Sequence, residues 1–298
     1  MTQMFGKDIV EQAKSWAAQV WKEATPIWAD RPGQDYAYRE YVVNPAISKV
    51  IQQLNIDKSS SVVEIGCGDG AHTFFWRKEL NSLGLESVRI LGIDLLDSLI
   101  SKAKKDSIGY KNIDFEVCDI AYEETAKLII DRVGNPDVII AMFLLQDVPD
   151  LEGVLKTVTT ALKKNGHFIA VFVHPDFAVH LQQLGQVKVA AADKDVPDEY
   201  ISPSGIVQWR FRGYYPIAQE DKPPFYVPYF HRNLKDYQDA LKKVGLTVIE
   251  DISLIPDKTM IHEFENKHIL PFVQSEWNVY WPIIVSSPSS ILIHSVKL

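Results

Sequence analysis

The residues in this sequence whose types and spacing could do chemistry are a run of glycines and three acids. Glu64 precedes Gly66-Cys67-Gly68-Asp69-Gly70, Asp94 closes Leu91-Gly92-Ile93-Asp94, and Asp119 closes Phe115-Glu116-Val117-Cys118-Asp119. Glycines directly after a strand let the backbone approach a ligand at the carboxyl end of a sheet. Gly66, Gly68 and Ala71 satisfy G-x-G-x-x-G/A, the spacing of a dinucleotide-binding turn. The acids argue against a dinucleotide. Glu64, two residues ahead of Gly66, would repel a pyrophosphate. Asp94 lies 28 residues after Gly66, against the roughly 20 of the dinucleotide fingerprint. A phosphate-free, positively charged nucleoside suits the pattern better. Asp94 can accept both ribose hydroxyl hydrogens, and Asp119 can accept from an adenine amino group with Ile120 against the ring. S-adenosylmethionine carries an ammonium and a sulfonium and no phosphate. Each acid alone would serve equally to cap the helix that follows it. Three acids at successive strand ends, beside a glycine turn, point to a ligand.

The elements that must position these residues follow from periodicity. Ser61–Ile65, Val88–Ile93, Ile113–Val117, Pro136–Met142 and His167–Val173 read as short buried strands. Helical segments separate them, so the spacing predicts a parallel, doubly wound α/β sheet. Ahead of it, Ile9, Ala13, Trp16, Ala17, Val20 and Trp21 recur at helical spacing, and Pro45 suits the first turn of another helix. Residues 1–55 are therefore expected to form an N-terminal helical cap, and residues 56–298 a Rossmann-like domain. After His174 the rhythm breaks. Residues 175–232 and 257–287 are rich in aromatics and proline, and they are too long for plain connectors. They read as lid or substrate insertions, with Ile206–Phe211 and Phe225–Phe230 as candidate antiparallel strands. Leu234–Val244 resumes helix, and Leu246–Leu254 and Ile291–Val296 read as strands.

The segment Val62-Val63-Glu64-Ile65-Gly66-Cys67-Gly68-Asp69-Gly70 resembles the first motif of class I S-adenosylmethionine-dependent methyltransferases. Gly92-Ile93-Asp94 resembles their ribose-binding motif and Cys118-Asp119-Ile120 their adenine-binding one. Pro136-Asp137-Val138 through Pro149-Asp150 and Leu162-Lys163-Lys164-Asn165-Gly166-His167-Phe168 are similar to the family's fourth-strand motif and its turn into strand five. The likeness covers about residues 40–174 and resumes at His231-Arg232-Asn233-Leu234. It implies a mostly parallel seven-stranded sheet with an antiparallel last strand. S-adenosylmethionine would be the cofactor and S-adenosylhomocysteine the product. Glu64, Gly66, Cys67 and Gly68 would line the methionine end, Asp94 and Leu95 the ribose, and Asp119 and Ile120 the adenine. Phe143 would lie beneath the cofactor. Tyr38, Arg39 and Tyr41 match the cap residues that cover the carboxylate in relatives.

The acceptor is less legible. Methyl transfer needs alignment, desolvation and, for some acceptors, removal of a proton. The candidate bases are His174 after strand five, Asp147 after strand four and His231 at the end of the first insertion. Gln146-Asp147 stand where many relatives carry paired histidines, so that mechanism does not transfer directly. His174 would serve equally as a cap before Pro175, and His231 as packing beside Tyr229 and Phe230. No spacing demands a metal. The aromatic inserts suit a small apolar or aromatic acceptor, as in secondary metabolism. They would serve equally to pack the lid or to bury a homodimer interface. A protein or peptide methyltransferase, or a binder of the cofactor that transfers nothing, are the alternatives. Composition sets the outer bounds: 298 residues, 46% hydrophobic, 23% charged and a net charge of −8. That charge disfavours nucleic acid and anionic membrane surfaces, which bind clustered Lys and Arg. No apolar run approaches the roughly 18 residues of a membrane span, the N-terminus lacks a signal-peptide pattern, and two cysteines make no disulfide framework. The expectation is a cytoplasmic enzyme.

Overall fold

The structure is a computed structural model that describes residues 6–29, 39–191, 195–219, 222–255 and 287–298. Helix α1 (Gly6–Ala29), a π-helical turn at Arg39–Val43 and α2 (Asn44–Gln53, with Pro45 in its first turn) precede the sheet. The alternating core then runs β1 (Ser61–Ile65), α3 (Ala71–Ser82), β2 (Arg89–Asp94), α4 (Asp97–Asp106), β3 (Ile113–Val117), α5 (Glu123–Val133), β4 (Val138–Met142), α6 (Leu151–Ala161) and β5 (His167–Val173). It continues through α7 (Pro175–Gln183), five short or lid strands β6 (Lys188–Val189), β7 (Tyr200–Ile201), β8 (Val207–Trp209), β9 (Phe211–Gln219) and β10 (Lys222–His231), then α8 (Leu234–Lys243), β11 (Leu246–Leu254) and β12 (Ser290–Lys297). The main sheet has the order β11-β12-β5-β4-β1-β2-β3. Strand β12 is antiparallel to both β5 and β11, and β1 to β5 are parallel. This is the mostly parallel seven-stranded sheet that the sequence implied.

Every residue of β1 and β4 is buried, as parallel strands covered on both faces require. Alternation sorts the side chains. Val63, Ile65, Ile139 and Ala141 enter the core under α5, α6 and α8. Val62, Val138 and Ile140 face α2, α3 and α4. Because β1 and β4 are neighbours, their carboxyl ends open side by side, and the order reverses there. That reversal is where an open α/β sheet leaves a crevice.

Two local expectations change. A nine-residue helix, α7, stands directly after His174, where the sequence suggested irregular chain. Pro175 occupies its first turn, and Phe177, Ala178 and Leu181 form its buried stripe. In the lid, Phe225–Phe230 pairs with Arg212–Ile217, while the earlier run, Val207–Trp209, pairs with Tyr200–Ile201. Gly213 and Pro216 obscured β9 as a strand. Gly213 is required because a Cβ there would lie 2.3 Å from the Lys188 carbonyl of β6. Helix α1 lies on this lid, with Ala13 and Ala17 against Trp209 and Phe230, and Ala24 against Phe225 and Val227. Most of the second expected insertion lies outside the described residues. No helix among the described residues is long and apolar enough to cross a membrane.

At the opposite end of the sheet, His167 Nδ1 and His294 Nε2 are 2.9 Å apart on β5 and β12. Burial and the neighbouring His167 push His294 from its usual 6.5 down to about 4. Both rings are therefore neutral in the folded protein at neutral pH. The unfolded chain takes up the proton below 6.5, so the fold loses stability as pH falls from 6.5 toward 4. Urea unfolding is expected to show a loss of about 2 kcal/mol between pH 7 and pH 5 in excess of that of His294→Gln. Parallel pH profiles for the two proteins would count against this assignment.

Candidate active site

The glycine turn follows from its backbone. Gly66, Gly68 and Gly70 have φ of 69°, 55° and 84°, a region open to glycine and strained for other residues. At Gly66 space is limiting too, since a Cβ would lie 2.7 Å from Leu144 Cδ1. The turn is fixed to the next strand by Cys67 N donating to Ile93 O at 3.0 Å. Asp94 completes the tie: its Oδ2 accepts from Gly68 N and its Oδ1 from Leu96 N, both at 2.9 Å. Each oxygen keeps one lone pair for a further donor. Burial raises the Asp94 pKa against these hydrogen bonds.

Glu64 is 1% exposed at the end of β1. Thr73 Oγ1 donates to its Oε2 at 2.5 Å, and its Oε1 has no partner. Burial pushes its pKa up to about 8, with the Thr73 hydroxyl and Arg39 working in the other direction. Arg39 belongs to the π-helical turn, and its guanidinium carbon lies 5.5 Å from the centre of the Phe143 ring. Phe143 is itself held at φ 53° beyond β4. His72, in the first turn of α3, is buried with Nε2 unpartnered, and burial and Arg39 hold it well below the ordinary histidine range. A buried acid oxygen without a hydrogen-bond partner is an unstable arrangement by itself. A ligand ammonium would satisfy it, and Arg39 could hold a ligand carboxylate nearby. These donors and acceptors fit the methionine end of S-adenosylmethionine.

Asp119 Oδ1 accepts from Ala121 N at 2.9 Å, and its Oδ2 lies 4.0 Å from Lys14 Nζ on α1. Ile120 is buried in the sheet core, and Leu95 is half exposed beyond Asp94. Cys67 is buried with its thiol pushed well up by burial and Glu64, so it stays protonated. Tyr38 and the side chain of Tyr41 lie outside the described residues.

The three candidate bases are placed differently. His174 caps α7, its Nδ1 accepting from Asp176 N at 3.3 Å. That bond leaves the proton on Nε2, and burial lowers its pKa. Asp147 is buried, with Oδ1 accepting from Gln146 Nε2 at 2.9 Å, and burial raises its pKa well above the carboxylate range. His231 is stacked on Phe211 at 4.5 Å and 12°, with Nδ1 3.1 Å from Tyr229 Oη. The lid brings His231 and Asp147 into adjoining segments. Phe230 N donates to Gln146 O at 2.8 Å, and the buried Arg232 donates to Leu145 O at 2.9 Å and Val148 O at 2.7 Å. Val173, Phe177 and Tyr229 form one apolar cluster, with Phe143, Phe211 and Tyr215 packed against it. Among the described residues no group of three or more His, Cys, Asp or Glu is placed to hold a metal. Lys14, His72 and Tyr229 had no signal in the sequence beyond their positions, because what marks them is who surrounds them.

Residues 56–203 match a family described as methyltransferase domain. A ubiquinone biosynthesis O-methyltransferase of Coxiella burnetii is 25% identical over 178 residues, which are 58% of this chain and 70% of that protein. Phosphoethanolamine N-methyltransferase 3 of Arabidopsis thaliana is 25% identical over 211 residues, 68% of this chain and 38% of that protein. A solved S-adenosylmethionine-dependent methyltransferase from Clostridium acetobutylicum superposes with a TM-score of 0.51 at 16% identity, covering 94% of this chain and 96% of that one. Fold and site together define a Rossmann-like enzyme whose glycine turn and buried acids meet at its strand ends. Residues 56–203 are a methyltransferase domain, and the fold around them is that of solved S-adenosylmethionine-dependent methyltransferases.

An ammonium beside Glu64 favours its ionised form, so binding should release the proton that burial holds there. Calorimetry with S-adenosylhomocysteine is expected to show affinity rising by up to tenfold per pH unit from pH 6 to about 8 and then levelling. Buffers of different ionisation enthalpy should report nearly one proton released at pH 7. Glu64→Gln should bind more weakly and without that slope; a slope that survives in the variant would assign the proton elsewhere.

Proposed function

We propose that this enzyme methylates a hydroxyl group of a small aromatic acceptor seated between Phe143 and the lid. The observation that carries this reading is the Tyr229–His231 pair. It is a hydrogen-bonded polar couple beside an apolar cluster of Val173, Phe177, Leu181 and Tyr229, against which the rings of Phe143, Phe211 and Tyr215 pack. Rings there offer an aromatic acceptor flat apolar surface at 4.5 to 7 Å centroid spacings. The lid's arginines do not suit a phosphorylated acceptor. Arg212 lies over the Trp16 ring at 5.2 Å and donates to Ala191 O, and Arg232 is committed to backbone carbonyls.

When bound, S-adenosylmethionine supplies an electrophilic methyl group. Glu64 and Arg39 would hold its amino-acid end, Asp94 its ribose and Asp119 its adenine. Tyr229 Oη can accept a hydrogen bond from the acceptor hydroxyl while its own proton points to His231 Nδ1. Asn233, hydrogen-bonded to His231 on its other side, keeps that nitrogen free to accept. As the acceptor oxygen forms its new bond, its proton passes to Tyr229 Oη and the tyrosine proton to His231. Burial lowers the His231 pKa, so the ring is neutral and ready to accept at pH 7.

Labelled methyl transfer to matched phenols and anilines tests the reading. Phenols are expected as substrates, with Tyr229→Phe and His231→Gln lowering kcat about 100-fold while leaving S-adenosylhomocysteine affinity unchanged. Activity should fall on the acid side as His231 takes up a proton, and that limb should vanish in His231→Gln. Turnover of anilines in preference to phenols, undiminished in both variants, would overturn it.

A further inference from the structure

Helix α1 touches both halves of the site. At one turn, Lys14 Nζ lies 3.7 Å from Asp150 Oδ2, 4.0 Å from Asp119 Oδ2 and 3.3 Å from Glu11 Oε1. It also sits 3.9 Å from the centre of the Tyr122 ring, whose hydroxyl donates to Glu11 Oε2 at 3.0 Å. Two residues on, Trp16 Nε1 is 3.3 Å from Tyr214 Oη, and the indole packs edge-on against Tyr214 at 5.3 Å and Phe230 at 5.5 Å. Phe230 is the residue whose amide reaches Gln146 in the loop after β4. One short stretch of helix therefore joins the acid at the end of β3 to the lid over the acceptor.

The Lys14 contacts differ from an ordinary surface ion pair. Its side chain is 14% exposed, and the charge sits among three carboxylates and an aromatic face. Burial works against the ammonium, yet Asp119, Asp150 and Glu11 leave its pKa above that of a free lysine. Asp150 is already engaged as the cap of α6, accepting from Gly153 N at 2.9 Å, and Asp119 Oδ1 is engaged by Ala121 N. What Lys14 adds is an attraction on Asp119 Oδ2, the oxygen left for a ligand. It also neutralises the repulsion between two acids that face the same space.

We propose that Lys14 is a positioning residue for the adenine-binding acid, and that α1 is a cover which closes on the adenine amino group and passes that closure to the acceptor lid through Trp16. The inference rests on the assignment of Asp119 to adenine made above. An amino group donating to Asp119 Oδ2 completes a set of contacts that α1 makes on only one side. Closure at Lys14 then fixes Trp16, and with it Phe230 and the Gln146 loop. The acceptor meets an ordered lid only after the cofactor is in place, and by linkage a bound acceptor holds the cofactor more tightly.

The test compares S-adenosylhomocysteine with S-inosylhomocysteine, which carries a carbonyl where adenine carries its amino group. Calorimetry on the wild type is expected to favour the adenine compound by about tenfold or more, the worth of a hydrogen bond to a charged group. Lys14→Met should cut that preference to about threefold or less, and Lys14→Arg should restore most of it. A merely structural role would weaken both compounds alike. Hydrogen exchange across residues 9–28 should slow with the adenine compound, remain fast with the inosine compound, and remain fast with either in Lys14→Met. If Lys14→Met binds neither compound, the role assigned to Lys14 is overturned; retained inosine-compound binding supports it. Asp119→Asn separates the two layers. A preference that survives in Asp119→Asn overturns the adenine placement itself. A preference lost in Asp119→Asn but intact in Lys14→Met, with α1 still slowed, overturns the role of Lys14 alone.

Discussion

The carboxylate of Asp94 is shared between Gly68 N and Leu96 N, and this sharing holds the site together. It binds the glycine turn after β1 to the turn after β2, so the two strand ends present one surface. It works because the acid is buried at the carboxyl end of a parallel strand, where backbone amides of the following turns point outward without partners. Without it, the three positive-φ glycines would have little to resist the entropy of their own freedom. The same carboxylate keeps lone pairs free, so under the proposed cofactor placement the group that stiffens the loop would also meet the ribose hydroxyls.

Acidic groups dominate this crevice, and their burial gives them different charges. Glu64 is held mainly neutral at pH 7 by desolvation, Asp94 is stabilised by two amides, and Asp119 has a lysine nearby. The crevice's own residues therefore avoid three uncompensated negative charges in a low-dielectric space. Under the proposed cofactor placement, a cationic nucleoside would supply the positive charge these acids lack. That is the physical difference between this turn and a dinucleotide site with the same glycine spacing.

On the acceptor side the constraint is a clasp. Arg232 is fully buried, and it is held by the carbonyls of Leu145 and Val148 while Phe230 N meets Gln146 O. These bonds fasten the end of β10 to the loop after β4, which brings Tyr229 into the apolar cluster that Phe143 packs against. The lid is thus part of the crevice wall. Helix α1 lies across it, with alanines against Trp209 and Phe230 allowing close approach.

The sheet was legible because its determinants are local. Short all-apolar runs, glycines where φ is positive and acids at strand ends each follow from one strand and its next turn. The places of Asp94 at the end of β2 and Asp119 just beyond β3 could be read from that pattern alone, and the antiparallel β12 from the family likeness. The helix after His174 and the true partner of β10 were not legible, since Gly213 and Pro216 look like strand breakers until β6 is seen pressed against Gly213. The sequence by itself determined the class of sheet, the turn and the charge of the ligand it suits. Only the tertiary structure decided which polar groups share a space: Arg39 with Glu64 and His72, Lys14 with Asp119, and Tyr229 with His231. The first two join residues from elements distant in the chain, whereas Tyr229 and His231 share β10 and owe their burial to the lid's packing. Their protonation is set by burial and by neighbours, and both are properties of the packed molecule.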